Sequence, residues 1–314
     1  MMPKQKYYAK HDPAIALLPL VRPVRRGENP PRLDVEISHD GFLVRVMGPY
    51  CLTALDQGVL LAVISIAGER STDLEAGEPQ HLALHAEGMV EKTSTRRIST
   101  TVHQIVERVY RQYSSARGAS VEEALARLSA ITVRAEHKLT GEFGQSLLLS
   151  STGRRGGQIQ VAINWRLAKI IAGDSHYAQI SLSERLGLSG DIPKILHANL
   201  SGCLRPSYSM QIHVDKLSAR VWTDPISPSG TRNRRQKIRN ALRQIADLGW
   251  QIEFRSNSHV VSIRRPNPSK KTPAATRTPN QPQRGRYPAI TGTLSSPNRD
   301  DNTQKNTNNF SDII

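Results

Sequence analysis

The sequence predicts an α+β fold of two tandem units, each a helix–turn–helix closed by a strand pair, followed by a tail without a core. Three observations carry this expectation. From Ile212 to Arg265 an amphipathic segment (HVDKLSARVW) meets a Pro/Ser/Gly-broken loop (TDPISPSG) and a long basic helix (TRNRRQKIRNALRQIADLG). Two β-type runs, WQIEF and HVVSIRR, close it around Ser256-Asn257-Ser258. A similar order begins near Ser99. Residues 266–314 hold seven of the nineteen prolines and are dense in Ser, Thr, Asn and Gln. Such a segment cannot bury enough apolar surface to offset its ordering entropy. Helix, turn, helix and two-stranded wing is the winged-helix order. The expected architecture is therefore two tandem winged-helix domains with a disordered basic C-terminal tail.

Residues 1–32 are Pro- and Arg-rich with weak periodicity and read as a basic arm. A first domain is expected over 33–152. LDVEI and FLVRVM alternate on either side of His39-Asp40-Gly41, and Asp-Gly is a strong hairpin signal. Thr53 and Asp56 have capping-box spacing before a helix whose buried face is Leu55, Val59, Leu60, Val63 and Ile64. The stretch 70–92 is polar and Gly/Glu-rich, with one short strand at HLALH. TTVHQIVERVYRQ reads as a helix buried through Val102, Ile105, Val106 and Val109, with SSARGAS as the turn. Ser120 and Glu123 then read as a second capping box, and ITVRAEHK and QSLLLS as the wing hairpin. Glu122 and Glu123 at the start of that helix would repel phosphate, so this unit is not expected to read base edges.

The Gly/Arg break STGRRGGQ marks a boundary, with a second domain over 153–265. Strand IQVAI, helix NWRLAKIIAG, then SLSERLGLS and DIPKILHANLSGCLR lead into the basic unit. Its long helix can be checked by angle. At about 100° per residue, Ile238, Ala241, Leu242, Ile245 and Leu248 form one stripe. Arg232, Asn233, Gln236, Arg239, Asn240 and Arg243 gather opposite, with no acid before Asp247. A solvated helix usually mixes Glu with Lys. Arg reads guanine bidentately, and Asn and Gln read adenine. Arg234, Arg235 and Lys237 flank that face for phosphate contact, and Arg255, Arg264 and Arg265 add cations on the strand pair.

Net charge is +16. Residues 1–32, 230–265 and 266–314 carry +5, +7 and +4, so 33–229 is balanced. A basic patch on a neutral body suits nucleic acid. The tail should add only sequence-independent affinity. No apolar run approaches a membrane span, and Pro13, Pro19 and Pro23 interrupt any signal-like stretch. Cys51 and Cys203 lie far apart and read as reduced thiols of a cytoplasmic protein. Catalytic signals are weak: His81 and His85 lack the glutamate of a zincin, and GRRGG lacks the Lys-Ser/Thr of a P-loop. No catalytic residue, metal site or cofactor is assigned, and the chain is expected not to be an enzyme.

Several ordered stretches resemble the RepC replication initiators of IncQ-type plasmids. They are HDPA (11–14), RRGE (25–28), LDV (33–35), QVAINWRLAKIIAG (160–173), VDKLSARVW (214–222), RNRRQKIRNAL (232–242) and LGW (248–250). The resemblance runs from about Lys10 to Pro266 and weakens across 70–100. It implies an initiator that binds iterons, directly repeated duplex sites at a plasmid origin. Such a protein opens an adjacent A+T-rich region and recruits the plasmid-encoded helicase and primase, without a cofactor. A homodimer is left open. From the residues alone, a winged-helix transcriptional repressor shares every feature of 212–265, and tandem repeats beside the coding region would separate the two. A nickase would need a metal-ligand cluster that the sequence lacks.

Overall fold

The computed structural model describes residues 7–24, 27–28, 30–39, 41–74, 95–153, 158–173, 176–222, 224, 227–255 and 258–267. The HLALH strand and nearly all of the 266–314 tail lie outside them. Residues Met1–Lys270 form one compact unit.

The stretch expected to be a basic arm is, over most of its described length, part of the core. Strand β1 (Tyr8–His11) leads into helix α1 (Pro13–Leu17). Asp12 accepts from the Ala14 amide at 2.8 Å and from Arg166 Nε at 2.7 Å. Both polar demands of this buried carboxylate are met, which lets the apolar residues around it go inside. Ala9, Ala14, Ile15, Leu18, Leu20 and Val21 are all buried. The prolines that suggested an irregular arm only shape it; Pro13 occupies the first helical position, where its missing N–H costs nothing.

Strands β2 (Leu33–His39) and β3 (Phe42–Gly48) form the expected hairpin. Helix α2 (Ala54–Arg70) carries the expected capping box at Thr53 and Asp56. Short β4 (Thr72–Leu74) and β5 (Thr95–Thr101) pair antiparallel, and α3 (Val102–Tyr110) and α4 (Ser115–Ser129) follow. Helix α4 starts earlier than the capping-box spacing suggested. Ser114 is its cap, accepting from the Arg117 amide, while Ser120 donates back to Ala116 O inside the helix. Gly118 reads as a turn residue, yet it is buried under Tyr113; an added Cβ would lie 3.1 Å from the Tyr113 hydroxyl. Close approach, and not a turn, explains this glycine.

Strands β6 (Thr132–His137) and β7 (Phe143–Leu147) pair as expected, but they extend the first hairpin into a sheet of order β2-β3-β6-β7. The wing of the first unit is a different pair, β8 (Leu149–Gly153) and β9 (Gln158–Ile163), joined to β5 in the order β4-β5-β9-β8. The expected boundary at 152/153 therefore falls inside a hairpin. The central Arg154–Gly157 of the run that suggested a linker lies outside the described residues.

Helix α5 (Trp165–Ala172), capped by Asn164, precedes β10 (Ala178–Ser181), which pairs with β1. After α6 (Leu182–Arg185) come α7 (Asp191–Cys203), β11 (Ser209–His213), α8 (Val214–Val221), α9 (Pro228–Ala246), β12 (Gln251–Phe254) and β13 (Val260–Arg264). The sheet order β11-β13-β12 behind the three helices is that of a winged helix. The two units are tied together by buried polar contacts. Arg185 of α6, 5% exposed, donates to Gln57 Oε1 and Ala54 O of α2 and to Lys194 O of α7.

His11 supplies a pH test of this packing. Burial pushes its pKa down from 6.5 to about 4, against a smaller opposing pull from Asp12. The unfolded chain binds the proton first as pH falls. The neutral ring's contribution is complete above about pH 6.5 and is lost toward about pH 4, a loss of about 3 kcal/mol in all. His11→Gln is expected to flatten urea-measured stability across that window. An unchanged slope would mean that His11 is solvated in the native state.

Candidate nucleic-acid interface

Helix α9 begins at Ser227, whose hydroxyl accepts from the Gly230 amide, with Pro228 in its first turn. The helix thus starts three residues before the sequence suggested, because Pro228 fixes a helix-compatible φ and lacks only an N–H that would be orphaned anyway. Ile238, Ala241, Leu242 and Ile245 are buried, the stripe expected from angle, and Leu248 is half-buried beyond the helix end.

The opposite face is exposed at Arg232, Asn233, Gln236, Asn240 and Arg243, flanked by exposed Lys237. Asn240 Oδ1 accepts from Gln236 Nε2 at 3.0 Å and Arg243 Nη1 at 2.9 Å. With that oxygen occupied, the Asn240 carboxamide has its Nδ2 donors left to offer an outside acceptor.

The flanking arginines are held. Arg234 stacks over Trp222 at 5.3 Å and bonds both the carbonyl and the carboxylate of Asp224. Arg235 grips Asp215 of α8 with Nε at 2.6 Å and Nη2 at 2.5 Å. This guanidinium holds the Asp215 carboxyl below the usual carboxylate range, only partly opposed by lost hydration. The pair joins the two helices of the turn and leaves Arg235 little free charge for phosphate. Arg239 lies 3.1 Å from His259 Nδ1.

On the wing, Arg255 and Arg264 are exposed. Arg265, expected from sequence to contact DNA, is buried instead. It is 5% exposed, donates to Ser201 O and Leu204 O at 3.1 and 2.8 Å and to Gln179 O, and lies over Trp250. The last turn of α7 ends in orphan carbonyls, and a buried forked cation satisfies them. Sequence order alone could not distinguish it from Arg264, the last residue of β13, which is exposed.

Sequence reasoning also missed His213, Asp215 and His259. His213 and His259 flank the β11–β13 pairing, with rings 5.6 Å apart and edge to face. The signal was two histidines, each just before or at the end of a β-type run bordering the basic helix.

The first unit offers a second helix start. The first turn of α4 contains no acid, and Arg111, Gln112, Tyr113, Ser114 and Ser115 are exposed before or within it. Glu122 and Glu123 lie in the middle of the helix, so the repulsion expected at its N-terminus is absent. Among the described residues no three His, Cys, Asp or Glu side chains are placed to hold a metal, and no helix is long and apolar enough to cross a membrane. Cys51 and Cys203 are free thiols, both pushed up in pKa by burial.

Comparison with known proteins gives a family and a likeness. The family model described as Replication protein C (RepC) matches residues 4–267. No curated protein matches the chain. Two crystal structures of domains 2 and 3 of RctB are similar. One has a TM-score of 0.48 at 10% identity, covering 81% of this chain and 97% of the other. The second, a selenomethionine derivative, has a TM-score of 0.46 at 8% identity, covering 77% and 93%.

Proposed function

The chain belongs to the Replication protein C (RepC) family of replication initiators, and on that premise we propose that it binds iterons at a plasmid origin through α9. In this reading the bound repeats strain the duplex, an adjacent A+T-rich block opens, and the plasmid-encoded helicase and primase are recruited there. The protein acts in the cytoplasm by binding and needs neither catalysis nor a cofactor. The observation that carries this is the exposed, acid-free face Arg232, Asn233, Gln236, Asn240 and Arg243, flanked by exposed Lys237. These residue types match the donor and acceptor patterns of the major groove. The acid-free start of α4 supports a contribution from the first unit as well.

Binding of the full chain to origin repeats and to scrambled repeats, at several salt concentrations, tests it. Gln236→Ala should cost about 1–3 kcal/mol on the cognate repeat and relax preference at one or two base pairs. Lys237→Ala should weaken both duplexes equally and lower the salt slope by about one. A wild-type chain that does not prefer the repeats would defeat the reading. So would a Gln236→Ala chain whose cognate-to-scrambled ratio is unchanged.

A further inference from the structure

His259 sits where the wing meets α9, and both of its ring nitrogens face guanidinium donors. Nε2 is 2.9 Å from Arg235 Nη1, and Nδ1 is 3.1 Å from Arg239 Nη2. Lost hydration, then the two guanidiniums, hold its pKa below the ordinary value, against a pull from Asp215. With a guanidinium at each nitrogen the ring is held toward its neutral form, which has one N–H and one lone pair. It can accept from one arginine only. At the other nitrogen, N–H meets N–H.

The arrangement decides which nitrogen accepts. Asp215 fixes Arg235 through two bonds, which aims Nη1 at His259 Nε2. Nε2 accepts, so Nδ1 carries the proton toward Arg239. Among the described residues no carboxylate pairs with Arg239. A ring N–H and an unneutralised guanidinium thus converge with no acceptor between them. His213, edge-on to His259, supplies no oxygen there.

The geometry points to a phosphate clamp: one backbone phosphate of duplex DNA docks between His259 Nδ1 and Arg239, so that wing and reading helix grip the same group. This rests on the DNA-binding reading above, and it reassigns Arg239 from base recognition to backbone positioning. One phosphate oxygen can accept from both donors, converting a repulsive contact into two charge-assisted bonds. It also sets how deeply α9 enters the groove, because phosphate contacts fix register and orientation.

The test uses the full chain, a mixed-sequence duplex of about 30 base pairs, and the same duplex carrying origin repeats. Arg239→Ala and His259→Ala should each weaken both duplexes by a similar factor, about threefold to tenfold, and lower the salt slope by about one. The double variant should be little weaker than the worse single one, because either change breaks the clamp. His259→Gln, which retains an N–H donor, should recover part of the loss. Neither side chain is fully buried, and melting temperatures check that folding is intact. Three results would overturn the clamp: a changed cognate-to-scrambled ratio in Arg239→Ala, additive single effects, or wild-type binding by both variants. Inorganic phosphate shifting the His259 ring resonances while DNA affinity ignores both variants would mean a free-anion site, and would also overturn it. Failure of the initiator reading looks different, since it removes the preference for repeats from the wild-type chain itself.

Discussion

Arg265→Ala is expected to destabilise the protein by about 3 kcal/mol, whereas Arg264→Ala should change stability by less than about 0.5 kcal/mol. The two arginines are adjacent in sequence and opposite in fate. Arg265 satisfies Ser201 O and Leu204 O at the end of α7 and Gln179 O of β10, and it lies against Trp250. Removing it strands buried carbonyls that water cannot reach. It also leaves Glu184, which accepts from Trp250 Nε1 at 3.1 Å and contacts His197 Nε2 at 2.8 Å, without a nearby cation. Arg265→Lys should rescue only part of the loss, because one ammonium nitrogen cannot occupy both positions from which Nη1 reaches Ser201 O and Leu204 O and Nη2 reaches Gln179 O. Urea denaturation gives the stabilities. DNA binding by the folded fraction should keep its sequence preference. Wild-type stability with weakened DNA binding in Arg265→Ala would place this side chain on the DNA surface after all.

The second large effect is expected at Arg127, which in sequence looks like one more exposed charge on α4. Its Nε and Nη2 lie 3.0 and 2.9 Å from Asp56 Oδ1, and Asp56 is fully buried. The other Asp56 oxygen accepts from the Thr53 amide and hydroxyl at 2.8 and 2.9 Å, capping α2. Arg127→Ala would leave that carboxylate buried without its cation, at a cost of about 2–4 kcal/mol. Adding Asp56→Asn should restore part of the stability, since a neutral carboxamide at the cap needs no counter-ion. The cycle is read from denaturation midpoints at constant m-value. If the double variant is no more stable than Arg127→Ala alone, the pair is not coupled. The ion pair on the other side of Arg127, with Glu123 at 3.8 Å, is exposed and should contribute little.

Legibility followed the range of the forces involved. The stripe Ile238, Ala241, Leu242 and Ile245 was readable because helical period places it without outside help. Thr53 with Asp56, and the β2–β3 hairpin, were readable for the same reason: cap and turn chemistry act within a few residues. The candidate site was partly legible. Gln236, Lys237, Asn240 and Arg243 are exposed as expected. Arg234 and Arg235 are on the expected helix but are held by Asp224 and Asp215.

What the sequence determined by itself is therefore the set of strong local elements and the basic, acid-free face of α9, each fixed by period, capping or charge run. Only the tertiary structure decided the rest. It drew residues 9–21 into the core and paired β1 with β10, some 170 residues away. It paired β6 and β7 with the first hairpin, and β8 and β9 with β5. It buried Arg265 and left Arg264 in solvent, and it set His259 between two arginines. Each of these outcomes depends on which distant backbone group or side chain supplies the partner. A polar residue's fate is fixed by whether such a partner exists, since burial without one costs more than any local preference can offset.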